Sequence, residues 1–316
     1  MAVTEIQDRL GSAFADAGVS GVLHARTLRP SPGAAGPPDP SGEAPFPEIG
    51  YEPDQLVCTA SVHKVCVLLT AHRLAAEGRL RLTERIDCRA AGRTVGSTGL
   101  SAMLDDVRMS ARDLAYLMMA VSDNAAADLL LERVGLDEVN RTTRLLGLER
   151  TLAVENFAAA QAGMRDDAGP AGAGALADPA VVSRLRALDP ARSNRSTPRE
   201  LTRLLGALWH DELCSPEHGE AMRRLMSLQV WPHRLASGFP FDDVGLAGKT
   251  GTLPTLRAEV GVVEYPDGGR YAVAVFTRAA DTAHVLPAAD SVIGTAARIA
   301  VDALRAPVRA TVRRVR

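Results

Sequence analysis

The sequence predicts the α/β (α+β) class: a mixed, mainly antiparallel sheet lobe with flanking helices, beside an all-α lobe. A strand-like run over residues 19–27 comes near the start of the chain, and helix-like segments fill its middle. Two further strand-like runs, 257–265 and 270–277, precede a helical segment from about 288 to 304. Because strands from both ends must bury their apolar faces together, we expect them to meet in one sheet.

The chain length sets the domain organisation. With 316 residues the chain can hold one large domain or two intertwined ones, and it has ample length for a core. We therefore predict a single domain over residues 1–316, with the functional cleft between its two lobes. The α/β lobe takes about residues 1–60 and 215–316, and the all-α lobe takes about residues 61–214.

Two segments have little apolar periodicity and are predicted as flexible loops. Residues 29–49 hold so many proline and glycine residues that neither a helix nor a core strand is expected. Residues 158–179 are rich in alanine and glycine, although the first of them could form a short helix. A loop of that length in a compact domain is usually functional or disordered.

Apolar periodicity predicts the helices in the middle of the chain. The stretch from Ser61 to about Gly78 suits a mostly buried helix that ends at the glycine. Residues 110–121 begin with a serine, which favours helix N-caps, and residues 125–134 resume the helical pattern. The tripeptide Ser122-Asp123-Asn124 is therefore predicted as a tight connection between two helices.

The second half of the chain contains clear start and turn signals. Thr197-Pro198-Arg199-Glu200 is a capping box with proline at the first helical position, and its helix runs to about Trp209. Another helix is predicted from about Pro216 to Leu228. The glycine-interrupted run 244–253 is predicted as a strand that lies close to another backbone or a ligand. The turn over 266–269 joins the last two strands as a hairpin.

The start of the first buried helix combines a nucleophile with a base. A serine hydroxyl is a weak nucleophile at neutral pH, so an adjacent group must take its proton during attack on a carbonyl carbon. If Ser61 opens the helix, Lys64 lies one turn further on the same face, within reach of the hydroxyl. Lys64 needs a lowered pKa to act as a base, and burial or a second cation such as Lys249 can lower it.

Three polar clusters follow one another in a characteristic order. They are Ser61-Val62-His63-Lys64, Ser122-Asp123-Asn124 and Lys249-Thr250-Gly251. Their types, order and local settings resemble the S-x-x-K, S-D-N and K-T-G set of class A β-lactamases and penicillin-binding proteins. The resemblance implies a β-lactamase/transpeptidase-like fold and an acyl-serine intermediate.

The resemblance also implies a role for each residue. Ser61 is the nucleophile, Lys64 is its base, and Ser122 relays a proton to the leaving nitrogen. In the substrate site, Asn124 binds the substrate amide, and Lys249 and Thr250 attract a carboxylate. Thr252 donates its N–H to the oxyanion hole. An arginine adds a carboxylate contact. These expected substrate contacts are Asn124, Lys249, Thr250, Gly251, Thr252 and Arg257, with Arg278 as an alternative arginine.

The deacylating half of that family's machinery is not evident. Class A enzymes have a glutamate on a loop after the S-D-N segment, close before an asparagine, which activates the water that releases the acyl group. Counted from the middle cluster, the nearby carboxylate is Glu155, which Asn156 follows, so Glu155 is the candidate base. If Glu155 does not reach the site, turnover is slow or Lys64 serves in both steps. Other carboxylates on the variable loop are Asp166, Asp167, Asp178 and Asp189.

Three functions are consistent with these residues. The first is a serine hydrolase that opens a β-lactam, or a related amide or ester bearing a carboxylate, through an acyl-serine. The second is a cytosolic serine-dependent amidase of the glutaminase type, against which the Ser-Asp-Asn and Lys-Thr-Gly clusters weigh. The third is a penicillin-binding or sensory module that keeps the pocket without turnover.

Composition narrows the partners to a small molecule. Lys+Arg is 36 against Asp+Glu 38, and a formal net charge of -2 gives no reason to expect nucleic acid or a membrane surface. No secretion signal or membrane-length apolar run is visible, so we expect a cytoplasmic protein.

The four cysteines fit reduced thiols. Pro216 breaks any single helical face that could join His210, Cys214 and His218, so we predict no metal site. We also predict no cofactor.

Overall fold

The computed structural model describes residues 3–28 and 48–306 of the chain. The predicted loop over 29–49 therefore lies outside the described residues, except for its last two positions, which begin a strand. The strands are β1 (Val19–Leu28), β2 (Glu48–Tyr51), β3 (Val57–Cys58), β4 (Arg85–Cys88), β5 (Val107–Ser110), β6 (Arg195–Ser196), β7 (Gly245–Leu253), β8 (Leu256–Glu264) and β9 (Arg270–Ala279). The α-helices are α1 (Val3–Asp16), α2 (Lys64–Ala76), α3 (Ala111–Ala120), α4 (Asn124–Val134), α5 (Leu136–Leu145), α6 (Phe157–Ala168), α7 (Pro179–Val182), α8 (Pro198–Trp209), α9 (Pro216–Ser227) and α10 (Pro287–Arg305).

Five strands form one antiparallel sheet in the order β2-β1-β9-β8-β7, which confirms the predicted α/β class. The early strand β1 pairs with β9 along its whole length, from Val19 opposite Ala279 to Leu28 opposite Arg270. The hairpin of β8 and β9 then continues to β7, which forms one edge of the sheet. The two ends of the chain thus meet in one sheet, and the edge strand carries the Lys-Thr-Gly cluster.

Alternate side chains of the sheet enter two apolar cores. Ala272, Ala274 and Phe276 of β9 belong to a core that also contains buried residues of α2, α3, α4 and α8. Tyr271, Val273 and Val275 belong to a second core with α1 and α10. This division follows from the two-residue period of a strand. Because the first core runs from the sheet into the helical region, the two lobes share one apolar interior.

Side-chain caps fix the helix starts that the sequence predicts. Ser110 caps α3 by accepting a hydrogen bond from the Asp113 N–H, and Thr197 caps α8 by accepting one from the Glu200 N–H at 3.1 Å. The Glu200 carboxylate accepts a hydrogen bond from the Arg150 N–H at 2.9 Å instead of returning to the cap residue. The cap therefore also ties α8 to the loop that precedes α6.

The position of α8 differs from the predicted division into lobes. A boundary at residue 214 assigns this helix to the all-α lobe, whereas α8 packs against β1, β8 and β9. Its buried face, which includes Leu201, Leu204, Leu205 and Leu208, joins the core shared by both lobes. An amphipathic pattern shows that a helix has a buried face but not which element covers it.

The segment 158–179 is helical, which corrects the expectation of an irregular loop. It comprises most of α6, a run of 3-10 turns over Gly169–Ala177 and the start of α7. Two side chains cap the start of α6. Asn156 accepts a hydrogen bond from the Ala159 N–H, and Asp128 accepts from the N–H groups of Phe157 and Ala158. Alanine has a high helix propensity, so these caps can fix a helix whose apolar pattern is weak.

Candidate active site

Ser61 lies in a 3-10 turn, Ala60–His63, that leads directly into α2. The turn is strained at its first residue, where Ala60 has a φ of 48°. It is anchored by Thr59, whose N–H and hydroxyl both donate to the Asn194 carbonyl. Strand β7 passes so close that a Cβ on Gly251 would lie 3.0 Å from the Thr59 carbonyl oxygen. The glycine of the Lys-Thr-Gly cluster therefore permits the close approach of β7 to the serine turn.

Lys64, at the start of α2, is fully buried. Its Nζ donates to the Ser122 carbonyl at 2.7 Å and to Asn124 Oδ1 at 2.7 Å, and it lies 3.3 Å from the Ser122 hydroxyl. Burial lowers the pKa of Lys64 to about 7, although the charges of Asp123 and Asp128 favour the protonated form. A pKa near neutrality suits an amine that accepts a proton at physiological pH.

The Ser122-Asp123-Asn124 cluster forms the tight connection that the sequence predicts. Ser122 has a φ of 57°, and α4 begins two residues later. The Asp123 side chain caps α4 and also accepts from the Leu100 N–H at 2.5 Å and the Ser101 hydroxyl at 2.8 Å. These bonds hold the strained turn, so that Ser122 and Asn124 both face the amine of Lys64.

Lys249, on β7, brings a second buried amine to the same hydroxyl. Its Nζ lies 2.9 Å from Ser122 Oγ and 2.9 Å from the Thr250 carbonyl oxygen. Burial and the Lys64 charge lower the pKa of Lys249, while Glu259 favours its protonated form. Lys64 and Lys249 are also the only lysines in the whole sequence, in which arginine supplies the rest of the Lys+Arg total. Both lysines are thus buried at one serine hydroxyl.

A cavity of about 400 Å³ opens from Ser61 along β7. Its lining includes Ser122, Asn124, Thr250 and Thr252, together with Trp231, His233 and Arg234. The Arg234 guanidinium donates to the Thr252 hydroxyl at 2.8 Å and to Asp290 at 2.7 Å. The cleft therefore places a cation and two threonine hydroxyls together, which is a suitable arrangement for a carboxylate.

The structure does not bring the two predicted arginines to this cleft. Arg257 is buried and donates to three carbonyl groups, those of Leu253, Leu256 and His284. Arg278 lines a separate cavity beside Cys58. Arg234 lies in the cleft instead, and sequence reasoning missed it. Its surroundings, WPHRL, carry no periodic pattern, so no local signal indicated which side chain faces the cleft.

A smaller cavity of about 190 Å³ adjoins Ser61 on the side of α6, and apolar residues such as Phe157 and Met164 line it together with polar ones such as Gln161 and Asn194. The Phe157 ring, at the start of α6, lies over Lys64, with the ring centroid 4.5 Å from Nζ. In residues 3–28 and 48–306, no carboxylate is hydrogen bonded to or ion paired with Lys64. The group that packs against Lys64 on this side is therefore a phenyl ring.

Glu155, the candidate deacylating base, does not line either cavity at Ser61. Its backbone N–H donates to Asn194 Oδ1 at 3.1 Å, and its carbonyl accepts from Asn194 Nδ2 at 3.0 Å. Burial raises the pKa of Glu155, and Arg186 opposes this rise. The alternative carboxylates are engaged elsewhere: Asp166 and Asp167 contact Arg186, and Asp178 and Asp189 accept backbone N–H groups.

The described residues also bear on metals, thiols and membranes. They contain no group of three or more His, Cys, Asp or Glu side chains that could hold a metal ion. His218 contacts His72, with 3.1 Å between the two Nδ1 atoms. All four cysteines are free thiols. No helix within the described ranges has the length and apolar character needed to cross a membrane.

The chain is similar to known proteins of one family. A model of the β-lactamase enzyme family matches residues 43–304. The β-lactamase regulatory protein BlaB of Streptomyces cacaoi is 36% identical over 287 residues, which cover 82% of this chain and 89% of that protein. A β-lactamase from Sphaerobacter thermophilus has a TM-score of 0.74 and 25% identity, over 96% of this chain and 98% of its own. A PBP-A mutant, in an acyl-enzyme complex with penicillin G, shares the fold with a TM-score of 0.72 and 21% identity, over 96% and 97% of the two chains.

Family and fold together support a serine hydrolase of the β-lactamase type. The chain belongs to the β-lactamase enzyme family and resembles the class A β-lactamases. The Streptomyces cacaoi relative is named as a regulatory protein, so the family includes a member named for regulation. Membership of the family therefore does not by itself tell whether an acyl group on Ser61 is hydrolysed or retained.

Proposed function

We propose that this protein forms an acyl-serine at Ser61 with a β-lactam, or a related amide or ester that bears a carboxylate, and releases the acyl group slowly. One observation carries the proposal: the Phe157 ring covers Lys64, and in the described part of the chain no carboxylate contacts that amine. Acylation has Lys64 as its base, whereas the described residues give the water that attacks the acyl-enzyme no second base, so Lys64 would have to serve in both steps.

The acylation step uses the three polar clusters. Neutral Lys64 takes the Ser61 proton as the serine oxygen attacks the carbonyl carbon. The N–H groups of Ser61 and Thr252 are the proposed donors to the oxyanion. As the C–N bond breaks, Ser122 gives its proton to the leaving nitrogen and is reprotonated from Lys64, whose Nζ lies 3.3 Å away. The proton from the serine thereby ends on the leaving group.

The substrate carboxylate binds at the far end of the cleft in this proposal. Thr250, Thr252 and Arg234 all line the cleft, the Arg234 guanidinium donates to the Thr252 hydroxyl, and the buried Lys249 adds a nearby amine. Asn124, which accepts from Lys64 through its Oδ1, has its amide N–H group left to donate to the acyl amide of the substrate. Charge attraction and two hydroxyl donors would orient the substrate carbonyl at Ser61.

A long-lived acyl-serine suits a sensor as well as a slow hydrolase. The relative named as a β-lactamase regulatory protein is 36% identical, which favours the sensory reading over the glutaminase-type amidase. In a sensor the adduct itself is the signal, so slow deacylation prolongs the signal. Both readings share one chemical intermediate and differ only in its lifetime.

A pre-steady-state time course of the hydrolysis of a chromogenic cephalosporin tests this proposal. We expect a burst of about one product molecule per chain, followed by a much slower steady rate. Intact-mass analysis during the slow phase should show one acyl adduct, and Ser61→Ala should abolish both the burst and the adduct. A linear time course over many equivalents without a burst would contradict slow deacylation, and the absence of any adduct would contradict acylation.

A further inference from the structure

A buried carboxylate lies behind the cleft, on the strand next to the Lys-Thr-Gly cluster. Glu259 of β8 pairs with Thr250 of β7, and its side chain is completely buried. One carboxylate oxygen accepts a hydrogen bond from Gln229 Nε2 at 2.5 Å, and the other accepts from the Leu235 N–H at 2.7 Å. Burial of a carboxylate is unfavourable unless its partners compensate, so these partners indicate a defined role.

Glu259 holds both ends of the wall segment, defined here as residues 229–235. Its contacts are with Gln229 at one end and the Leu235 N–H at the other. Gln229 in turn accepts from the Thr250 N–H through Oε1 at 2.6 Å, so the first end is also tied to β7. Between these two ends, the wall segment supplies three lining residues of the cleft, Trp231, His233 and Arg234.

The charged groups that face Glu259 are both cations. They are Lys249 of β7 and Arg234 of the wall segment, while β9 places Val275 opposite Glu259. Burial raises the pKa of Glu259 to about 7, and these cations and the hydrogen bonds oppose the rise. A Cβ on Gly248 would lie 2.9 Å from Glu259 Oε1, so the glycine before the catalytic cluster leaves room for this carboxylate.

We propose that Glu259 is a positioning residue, which fixes the wall segment and thereby sets the affinity of the cleft for the substrate carboxylate. Glu259 acts through Arg234 and Lys249 and does not line the cleft itself. The inference rests on the proposed function, because it places a carboxylate-bearing substrate in that cleft. Loss of Glu259 should therefore weaken substrate binding more than it slows the chemical step.

The Glu259→Gln variant tests this role with little change in shape. An amide has one acceptor oxygen and an NH₂ group, so it cannot accept from both Gln229 and the Leu235 N–H. We expect the second-order rate constant for acylation by penicillin G to fall by about tenfold, with most of the loss in substrate affinity. The limiting acylation rate at saturation should stay within about twofold. Intact-mass time courses at several penicillin concentrations separate these two quantities.

Exchange of the two side chains at positions 229 and 259, the exchanged pair, should restore acylation efficiency. In the double variant Gln229→Glu with Glu259→Gln, the carboxylate at position 229 can accept from the Thr250 N–H and from the amide at position 259. The amide oxygen at position 259 can accept from the Leu235 N–H, so all three hydrogen bonds return. We expect acylation efficiency to recover to within about threefold of wild type.

A matched control lies on the same strand. Glu264 ends β8 and contacts Arg270 and Trp209, at a cavity separate from the cleft. Glu264→Gln should leave acylation unchanged. If Glu259→Gln does not fold, Gln229→Met replaces it. This variant removes the hydrogen bond from Gln229 to Glu259 and the one that Gln229 accepts from the Thr250 N–H, and it should lower the affinity in the same direction.

Two measurements do not depend on acylation. The amide groups of the wall segment should exchange hydrogen faster in Glu259→Gln than in wild type and slow again in the exchanged pair. Labelling with [ε-¹³C]lysine gives internal NMR signals for Lys64 and Lys249 alone, because the sequence has no other lysine. Removal of the carboxylate should lower the pKa of Lys249 further, a change that loss of packing at another site would not cause.

These outcomes decide the proposal. Wild-type affinity and unchanged exchange in Glu259→Gln would overturn it, as would a loss confined to the limiting acylation rate. Failure of the exchanged pair to recover affinity would also count against it. If penicillin G does not acylate the wild-type chain, the proposed function fails instead, and the exchange and lysine measurements decide the role of Glu259 without it.

Discussion

The two sides of Ser61 differ in polarity. On the side of β7, the hydroxyl of Ser122 lies between two buried amines, those of Lys64 and Lys249. On the side of α6, the Phe157 ring packs over Lys64 and also lines a small cavity at Ser61. The first side can move protons between a serine, an amine and a leaving group. The second side offers a hydrolytic water no base in the described part of the chain.

The contrast suggests that acylation and deacylation can be separated within one fold. In the proposed function, α2 supplies Lys64 as the proton acceptor for acylation, and a separate acceptor for release would have to come from the segment around α6. A change confined to α6 can therefore convert a hydrolase into a protein that retains its acyl group.

The largest effect is expected at the nucleophile. Ser61→Ala removes the oxygen that forms the acyl bond, so covalent labelling by penicillin G should be lost completely. Ser227→Ala, a change at an exposed serine that ends α9, is the control and should leave labelling intact. Intact mass spectrometry measures both, and adduct formation in Ser61→Ala would identify another nucleophile.

The next largest effect is expected at the base. Lys64→Met keeps the length and burial of the side chain but removes the amine, so the acylation rate should fall by about 10³-fold. Far-ultraviolet circular dichroism and thermal melting check that the variant folds. A variant that folds and acylates within about tenfold of wild type would show that another group, such as Lys249, serves as the base.

The apolar side is tested by Phe157→Glu. A carboxylate at this position would point toward Lys64 and could activate a water at the acyl carbonyl, so deacylation should accelerate by about 10²-fold. Phe157→Gln is the matched control, because it has the same shape without the charge and should not accelerate release. Equal acceleration in both variants would show that removal of the ring, not addition of a base, admits water.

The pH dependence tests the protonation state of Lys64. Its pKa is lowered to about 7, so the neutral, active fraction rises as pH increases through neutrality. Between pH 6 and 8 the acylation rate should rise by about tenfold and then level off. The [ε-¹³C]lysine signal of Lys64 should titrate over the same range. A signal that titrates only near pH 10 would contradict Lys64 as the base.

The smallest effect is expected at Glu155. Glu155→Gln changes a carboxylate that lines neither cavity at Ser61, so deacylation should change by less than about twofold. Measurement of acyl-enzyme decay in this variant beside Phe157→Glu compares the two candidate positions directly. A marked slowing in Glu155→Gln would restore Glu155 as the deacylating base.

Much of the acylating side could be predicted because its signals are local. Helix caps, the turn before α4 and the glycine-rich edge strand each follow from short stretches of sequence, and the order of the three clusters indicates their family. The fact that both lysines of the chain fall within these clusters strengthens that reading. The structure brings Ser61, Lys64, Ser122, Asn124, Lys249 and Thr250 to one cleft or its buried wall.

The remaining features depend on tertiary contacts that no local pattern records. In the sequence, Phe157 is an ordinary apolar residue. In the structure, Asp128 and Asn156 cap α6 at this point, and the ring packs over Lys64. Arg234 and Arg257 are equally basic, and the register of the sheet and the path of the wall segment decide which one faces the cleft. Tertiary packing determines which of these side chains face the site, and sequence periodicity does not describe that packing.

The lifetime of the wild-type acyl-enzyme tests the central claim most directly. The protein is labelled with excess penicillin G, the free drug is removed, and intact mass is followed over hours. We predict that the single adduct on Ser61 forms within the labelling period and then persists far longer than it took to form. Rapid return to the unmodified mass, with repeated turnover of added drug, would contradict the claim that the α6 side lacks a working deacylation base.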